Sequence, residues 1–376
     1  MHAVLQQLAL PDKDRVLWAD AICISQINSP DNLEKGEQIK LMPDIYRFAS
    51  RVQVYLGSES AQDVSAIELI GTIADYFDQL DGLRNPVIEI GASLALRDGL
   101  VLPPSHDKQW AALRAFLRRP WFRRIWVIQE FVYATDVSVI CGHHEIDWHK
   151  LWLMSTAYIH NRRLFAPQPG QYLSGWYRQN EYLEAHEGAK ALNTITGLRM
   201  QAWGWRMPQY QTLAIYNYNW KPSTVALSKG KDLRHIKHWD KFNRDHRLQD
   251  CSAAKSSPLG KDVDILKLLR RTENFMATQP VDRFYALLGL AADAESFQLI
   301  YSDNQSLAVV STRFAAALIA KGRLSDVLAA AGIRSDKPSA HDTPSWVPDW
   351  SKTWNVNDAA PGFNAISKIQ IGRAHV

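Results

Sequence analysis

Two short apolar runs near the start of the chain constrain its fold more than any other feature. LWADAICISQ, residues 17–26, reads as a strand over 16–24 that is buried on both faces. VQVYLG reads as a second strand, Val52 to Leu56, closed by Gly57. Helical spacing surrounds them. Val4, Leu5 and Leu8 share one face of a helix that Pro11 ends, and Ile39, Met42, Tyr46 and Ala49 recur at helical spacing between the two runs. Pro43 should kink that second helix or divide it in two. VSAIELIGTIADYFDQL then predicts a third helix, so residues 1–82 alternate helix, strand, helix, strand, helix. That order predicts an α/β layered domain with a parallel sheet.

The pattern continues after an irregular Gly- and Pro-containing connection over 83–106. DKQWAALRAFLRR predicts a helix with Trp110, Leu113 and Leu117 on one face. WFRRIWVIQEFVYA, started by Pro120, carries two stripes, Trp121/Ile125/Ile128/Val132 and Arg123/Trp126/Val127/Glu130, so it should be packed on more than one side. VSVICG predicts a strand and DWHKLWLMSTAYIH a helix. From about residue 162 the periodicity fades, and 229–250 mixes Lys, Arg and His with Asp. The interleaved acidic residues argue against a nucleic-acid surface and for a solvated insertion. Order resumes at Val263, with helices in DILKLLRRTENFM, SLAVVSTRFAAALIAKG (Ser306 as N-cap, Gly322 as stop) and SDVLAAAG, and with PSWVPDWS as a rigid turn.

The 14 Trp and 13 Tyr favour a large aromatic core. A net charge of +4 is small for 376 residues and does not argue for a nucleic-acid or membrane surface, so neither is expected as a partner. Three cysteines, Cys23, Cys141 and Cys251, suggest reduced thiols and a cytoplasmic location. No apolar run has the length of a membrane span, and MHAVLQQLALPDKD lacks the layout of a signal peptide.

LWADAICISQ, EQIKLMPDIYRFASRVQVYLG, RPWFRRIWVIQEFVYATDVSVICG, DRFYALLGLA and PSWVPDWS, in that order, resemble the fungal heterokaryon-incompatibility (HET) domain family. The first three cover residues 1 to about 150; the last two match downstream segments of the family's larger members. The resemblance implies non-self recognition between fungal cells and programmed death of incompatible fusions, through contact with other signalling-domain proteins or self-association. It also implies a flavodoxin-like, Toll/interleukin-receptor-like parallel sheet, here expected to lack its first strand because the family's opening Tyr-x-x-Leu-Ser-Tyr-x-Trp-Gly strand is absent. Some Toll/interleukin-receptor-like domains cleave NAD, so a second reading is an NAD hydrolase with NAD as substrate and no cofactor. The expected divisions are a HET domain over 1–160, incomplete at its N-terminus; an insertion or linker over 161–262; a mainly helical region over 263–351; and a tail over 352–376. Within that tail IGRAHV (371–376) is what a sequencing adapter would encode.

Asp20 and Glu130 are the candidate catalytic residues. A buried Asp20 needs a partner, and Arg123 or Arg124 could supply one, making it an internal ion pair or a backbone cap instead of a site carboxylate. On the hydrolase reading Glu130 would stabilise positive charge developing on a ribose or orient water; otherwise it pairs with Arg123 seven residues earlier or packs. Trp18, Cys23, Gln26, Arg124, Trp126 and Gln129 match the motifs as structural residues, with Cys23 read as a small core residue. CGHHE mixes metal-ligand types, but adjacent His143 and His144 on a strand would point to opposite sides, so no metal is expected.

Overall fold

The computed structural model describes residues 2–12, 14–25, 34–79, 102–104, 107–160, 175–202, 259–297, 306–331 and 343–350. Gln26, most of the 83–106 connection, residues 203–258 and the 352–376 tail lie outside the described residues.

The chain opens with α1 (His2–Leu8), the single turn α2 (Asp20–Cys23) and α3 (Glu34–Phe48). β1 (Val52–Tyr55) leads into α4 (Ala61–Gln79). At the start of α4, Ser60 N–H donates to the Asp63 carboxylate at 2.9 Å, and Asp63 N–H donates back to the Ser60 hydroxyl at 3.3 Å. This is a reciprocal cap of the first turn. α5 (Lys108–Leu117) starts at Asp107, whose carboxylate accepts from Gln109 N–H at 2.8 Å. A 3-10 turn (Pro120–Arg123) precedes α6 (Val127–Tyr133), β2 (Val137–Cys141), β3 (His144–Ile146) and α7 (Trp148–His160). Beyond come α8 (Gly175–Ala202), α9 (Ile265–Arg271), α10 (Asp282–Leu288), a 3-10 turn (Ala294–Ser296), α11 (Leu307–Ala320) and α12 (Leu324–Ala331). Ser306 caps α11 as its sequence predicts, accepting from Val309 N–H, and Gly322 follows that helix with φ +76°.

Among the described residues the sheet has three strands, in the order β1-β2-β3. β1 and β2 run parallel, Val52 opposite Val137 and Tyr55 opposite Ile140; β2 and β3 form an antiparallel hairpin. The flavodoxin-like parallel sheet is therefore met only as a mixed α/β arrangement, with one parallel pair, one hairpin and a mostly helical remainder.

Four local expectations are corrected. Residues 16–24 do not form a strand: no strand pairs with them among the described residues, and a strand without a ladder partner leaves its backbone groups unpaired. The chain turns instead into α2, where Cys23 N–H donates to Ala19 O at 2.8 Å and Ile24 N–H to Asp20 O at 3.1 Å. Cys23 and Asp20 are exposed on this turn, not buried. α3 runs unbroken through Pro43. The element begun by Pro120 is not one helix, because Arg124 takes an extended conformation (φ −69°, ψ 130°) between the 3-10 turn and α6. Arg124 there bridges to Met276, whose N–H donates to Arg123 O at 2.5 Å and whose O accepts from Ile125 N–H at 2.9 Å.

The fourth correction concerns the segment read as a solvated insertion. Within it α8 is a 28-residue helix that packs on α5, α6 and α7. Its Ala185, Ala189, Ala191, Leu192, Ile195 and Leu198 are fully buried. Gly188 is needed for this approach, since a Cβ there would lie 2.0 Å from Leu117 O. One continuous apolar core runs from Val54 in β1 through Phe116, Phe122, Phe131 and α8 to Phe284, Phe314 and Trp350.

Candidate functional site

α6 carries VIQEFVY, and almost all of it is buried: Val127, Ile128, Gln129, Phe131, Val132 and Tyr133. α3 packs on one side of it, α8 and α10 on others. A helix enclosed in this way must dispose of every polar group it carries.

Towards α10 it does so with hydrogen bonds across more than 150 residues of sequence. Just before α6, Trp126 Nε1–H donates to Asp282 Oδ2 at 3.0 Å. Gln129 Nε2–H donates to Ala286 O at 2.9 Å, and the Tyr133 hydroxyl to Gly289 O. Gly289 has ordinary helical φ, but a Cβ there would stand 2.8 Å from Pro43 Cγ and 3.4 Å from Gln129 Nε2, so α3, α6 and α10 meet at a point where only hydrogen fits. Towards α8, the buried Arg199 guanidinium donates to Phe131 O at 2.6 Å, to Ala134 O and to Thr135 O at 3.3 Å, closing the C-terminal end of α6. The motif residues Trp126 and Gln129 thus tie α6 to α10 by hydrogen bonds. Asp282, Tyr133 and Arg199 complete the same set and were not singled out in the sequence; an acidic residue opening DRFYALLGLA was the one visible signal.

Towards α2 and α3 the same helix behaves differently. Glu130 is half-buried, and its carboxyl makes no hydrogen bond or ion pair among the described residues. Arg123 turns away and donates from Nε to Asn274 O at 3.3 Å, so the expected pairing of Arg123 with Glu130 does not form. Burial pushes the Glu130 carboxyl up to about 7, against the pull of Arg124 and reinforced by the charge of Asp20. The Tyr46 hydroxyl on α3 is raised by burial and by the charges of Glu130 and Asp20, with Arg124 opposing. Trp18 stands edge-on to Tyr46, ring centroids 5.7 Å apart. The structure therefore brings together Trp18, Asp20, Arg124 and Glu130 of the sequence-derived candidates and adds Tyr46, which helical spacing marked only as apolar. Cys23 is one turn along α2 from Asp20, and exposed. Arg124 is exposed and forms no ion pair among the described residues. A carboxyl near neutrality beside a free guanidinium, a phenol and an indole can exchange a proton at neutral pH or accept hydrogen bonds from an incoming group.

Elsewhere, His143 lies in the β2–β3 turn, its N–H donating to Glu59 Oε2 at 2.8 Å, and only His144 is in β3, 3.5 Å from the same carboxylate. No three His, Cys, Asp or Glu are grouped to hold a metal among the described residues. No described helix is long and apolar enough to cross a membrane.

Residues 1–130 of this helix-rich α/β chain, which reach into the motif helix, are matched by the family model described as Heterokaryon incompatibility protein (HET). The chain is 26% identical, over 360 residues, to "Heterokaryon incompatibility protein 6, OR allele" of Neurospora crassa. The alignment covers 89% of this chain and 45% of that protein, so the chain spans about half the length of the relative. No solved structure matches it.

Proposed function

We propose that this chain acts in fungal heterokaryon incompatibility, as a cytoplasmic non-self-recognition module that signals programmed cell death through contact with other signalling domains or with its own copies. The family match and the name of the Neurospora relative support the first half of that reading. The observation that carries the second is the surface next to the Glu130 cluster. The segment around α2 exposes Val16 (97%), Leu17 and Ile22, and α3, which it touches through Trp18 and Tyr46, exposes Leu41 and Phe48 (69%). Large apolar side chains concentrated on two neighbouring elements, flanked by the charges of Asp20 and Arg124, suit a contact surface better than solvent.

The competing reading makes Asp20 and Glu130 the catalytic pair of an NAD hydrolase, and no comparison with known proteins lends it weight. One experiment separates the two. Ile22→Asp/Phe48→Asp and Glu130→Gln are expressed in a fungal host, with cell death and NAD followed together. The contact reading expects the double variant to lose killing at an unchanged melting temperature, Glu130→Gln to retain it, and NAD to hold until death begins. Killing by the folded double variant at wild-type level overturns it. Early NAD loss that Glu130→Gln abolishes would establish the hydrolase.

A further inference from the structure

A second cluster, apart from the Glu130 group, lies in the downstream helices. Between α10 and α11 is a cleft of about 300 Å³, walled by Tyr285, Phe297, Val310, Arg313, Phe314 and Ala317. Its apolar wall is held in place from behind. Phe297 and Phe314 stack with centroids 4.6 Å apart and planes within 12°, Phe284 packs on Phe314 at 4.3 Å, and Trp350 stands edge-on to Phe284 at 5.1 Å. These rings belong to the continuous core, so the wall is preformed and needs no ordering when something binds.

Set into this wall is one cation. Arg313 is half-buried and makes no hydrogen bond or ion pair among the described residues. Half-buried Arg119 pairs with Asp63 at 2.8 Å and Arg323 with Asp264 at 2.7 Å, and buried Arg283 donates to the carbonyls of Glu273 and Phe275. Asp282, the nearby acid on α10, is taken up by Trp126. Arg313 instead faces Tyr285, whose buried hydroxyl is raised chiefly by burial, with Arg313 opposing.

We infer that this cleft binds a small acid with a flat apolar body. The anionic head would take the guanidinium fork, whose planar donors match a carboxylate or phosphate in two parallel bonds. The body would lie against the Phe297–Phe314 pair, where an offset ring gains both buried area and quadrupole contact. The volume is at the lower end for small-molecule sites, enough for a single-ring acid and too little for a dinucleotide. The inference is independent of the proposed function, since no residue of the cleft belongs to the Glu130 cluster or to the α2–α3 surface.

The test uses the full chain and ligand-observed NMR with four probes: benzoate, phenyl phosphate, the neutral isostere benzamide, and acetate. Saturable binding of benzoate or phenyl phosphate is expected, at least about tenfold tighter than benzamide or acetate; whichever of the two acids binds better identifies the head group. Arg313→Gln should bring benzoate down to the benzamide level, and Arg313→Lys should keep part of the difference. Ala317→Trp should exclude all three aromatic probes. Benzamide binding as well as benzoate, or no saturation by any aromatic acid, overturns the site. So does an Arg313→Gln protein that melts like wild type and binds benzoate unchanged. If Arg313→Gln does not fold, the benzoate-to-benzamide ratio on the wild-type chain decides alone.

Discussion

Two faces of one seven-residue helix treat their polar groups in opposite ways. On the α10 and α8 side of α6, Trp126, Gln129, Tyr133 and the facing Arg199 are tied by hydrogen bonds to distant parts of the chain. On the α2 and α3 side, Glu130 is half-buried with no such bond, among Tyr46, Arg124 and Asp20. Gln129 and Glu130 are adjacent and differ by one atom type, yet one holds two regions together and the other makes no hydrogen bond or ion pair among the described residues while burial raises its carboxyl. Stability explains the first face. It does not explain the second, and a polar group kept at a cost to stability is where function is sought.

The comparison predicts effects of opposite sign. Arg199→Met should be the most damaging, because it removes the charged donor that the carbonyls of Phe131, Ala134 and Thr135 share; a loss of about 3–5 kcal/mol in denaturant unfolding is expected. A loss below about 1 kcal/mol would mean that water reaches these carbonyls.

Glu130→Gln should do the reverse. The folded carboxyl titrates near 7 and the unfolded one near its ordinary value of 4.5, so between these pH values the folded state holds the proton more tightly. Wild-type stability should therefore fall as pH rises from about 4.5 to 7 and level off above, the raised carboxyl being a penalty present only when ionised. The variant should lack that slope and gain up to about 3 kcal/mol at pH 8. An unchanged slope would place the Glu130 charge in water.

Trp126→Phe should cost about 2 kcal/mol, since it removes a hydrogen bond to a charged, buried acceptor while keeping most of the ring. Restoring that loss by Asp282→Leu in the same chain would show that the Asp282 carboxylate, deprived of the Trp126 donor, is the cause. The smallest effect is expected for Gln129→Leu, about 1 kcal/mol by thermal unfolding. It deprives Ala286 O of its donor, but it also removes Gln129 Oε1, a buried oxygen with no hydrogen-bond partner.

Several elements were legible because their determinants are local. β1, β2, α5, α7 and α11 follow from apolar spacing and from caps such as Asp107 and Ser306, whose side chains reach backbone groups within three residues. α8 was not legible, for a physical reason: it is enclosed on several sides, so buried His186, Thr194, Thr196 and Arg199 interrupt its apolar stripe. Pro43 was expected to kink α3 or divide it in two; the helix is not divided, and it packs on α6 with Pro43 standing against Gly289. The run at 17–26 carries strand-forming residues, yet no strand pairs with it among the described residues and Asp20–Cys23 form α2. By itself, then, the sequence determined the local elements, the motif helix and the candidates Asp20, Arg124 and Glu130. Only the tertiary structure decided which of them would be satisfied. A hydrogen bond between residues 126 and 282 depends on how two helices are packed, and nothing within a few residues of either one encodes the other's position.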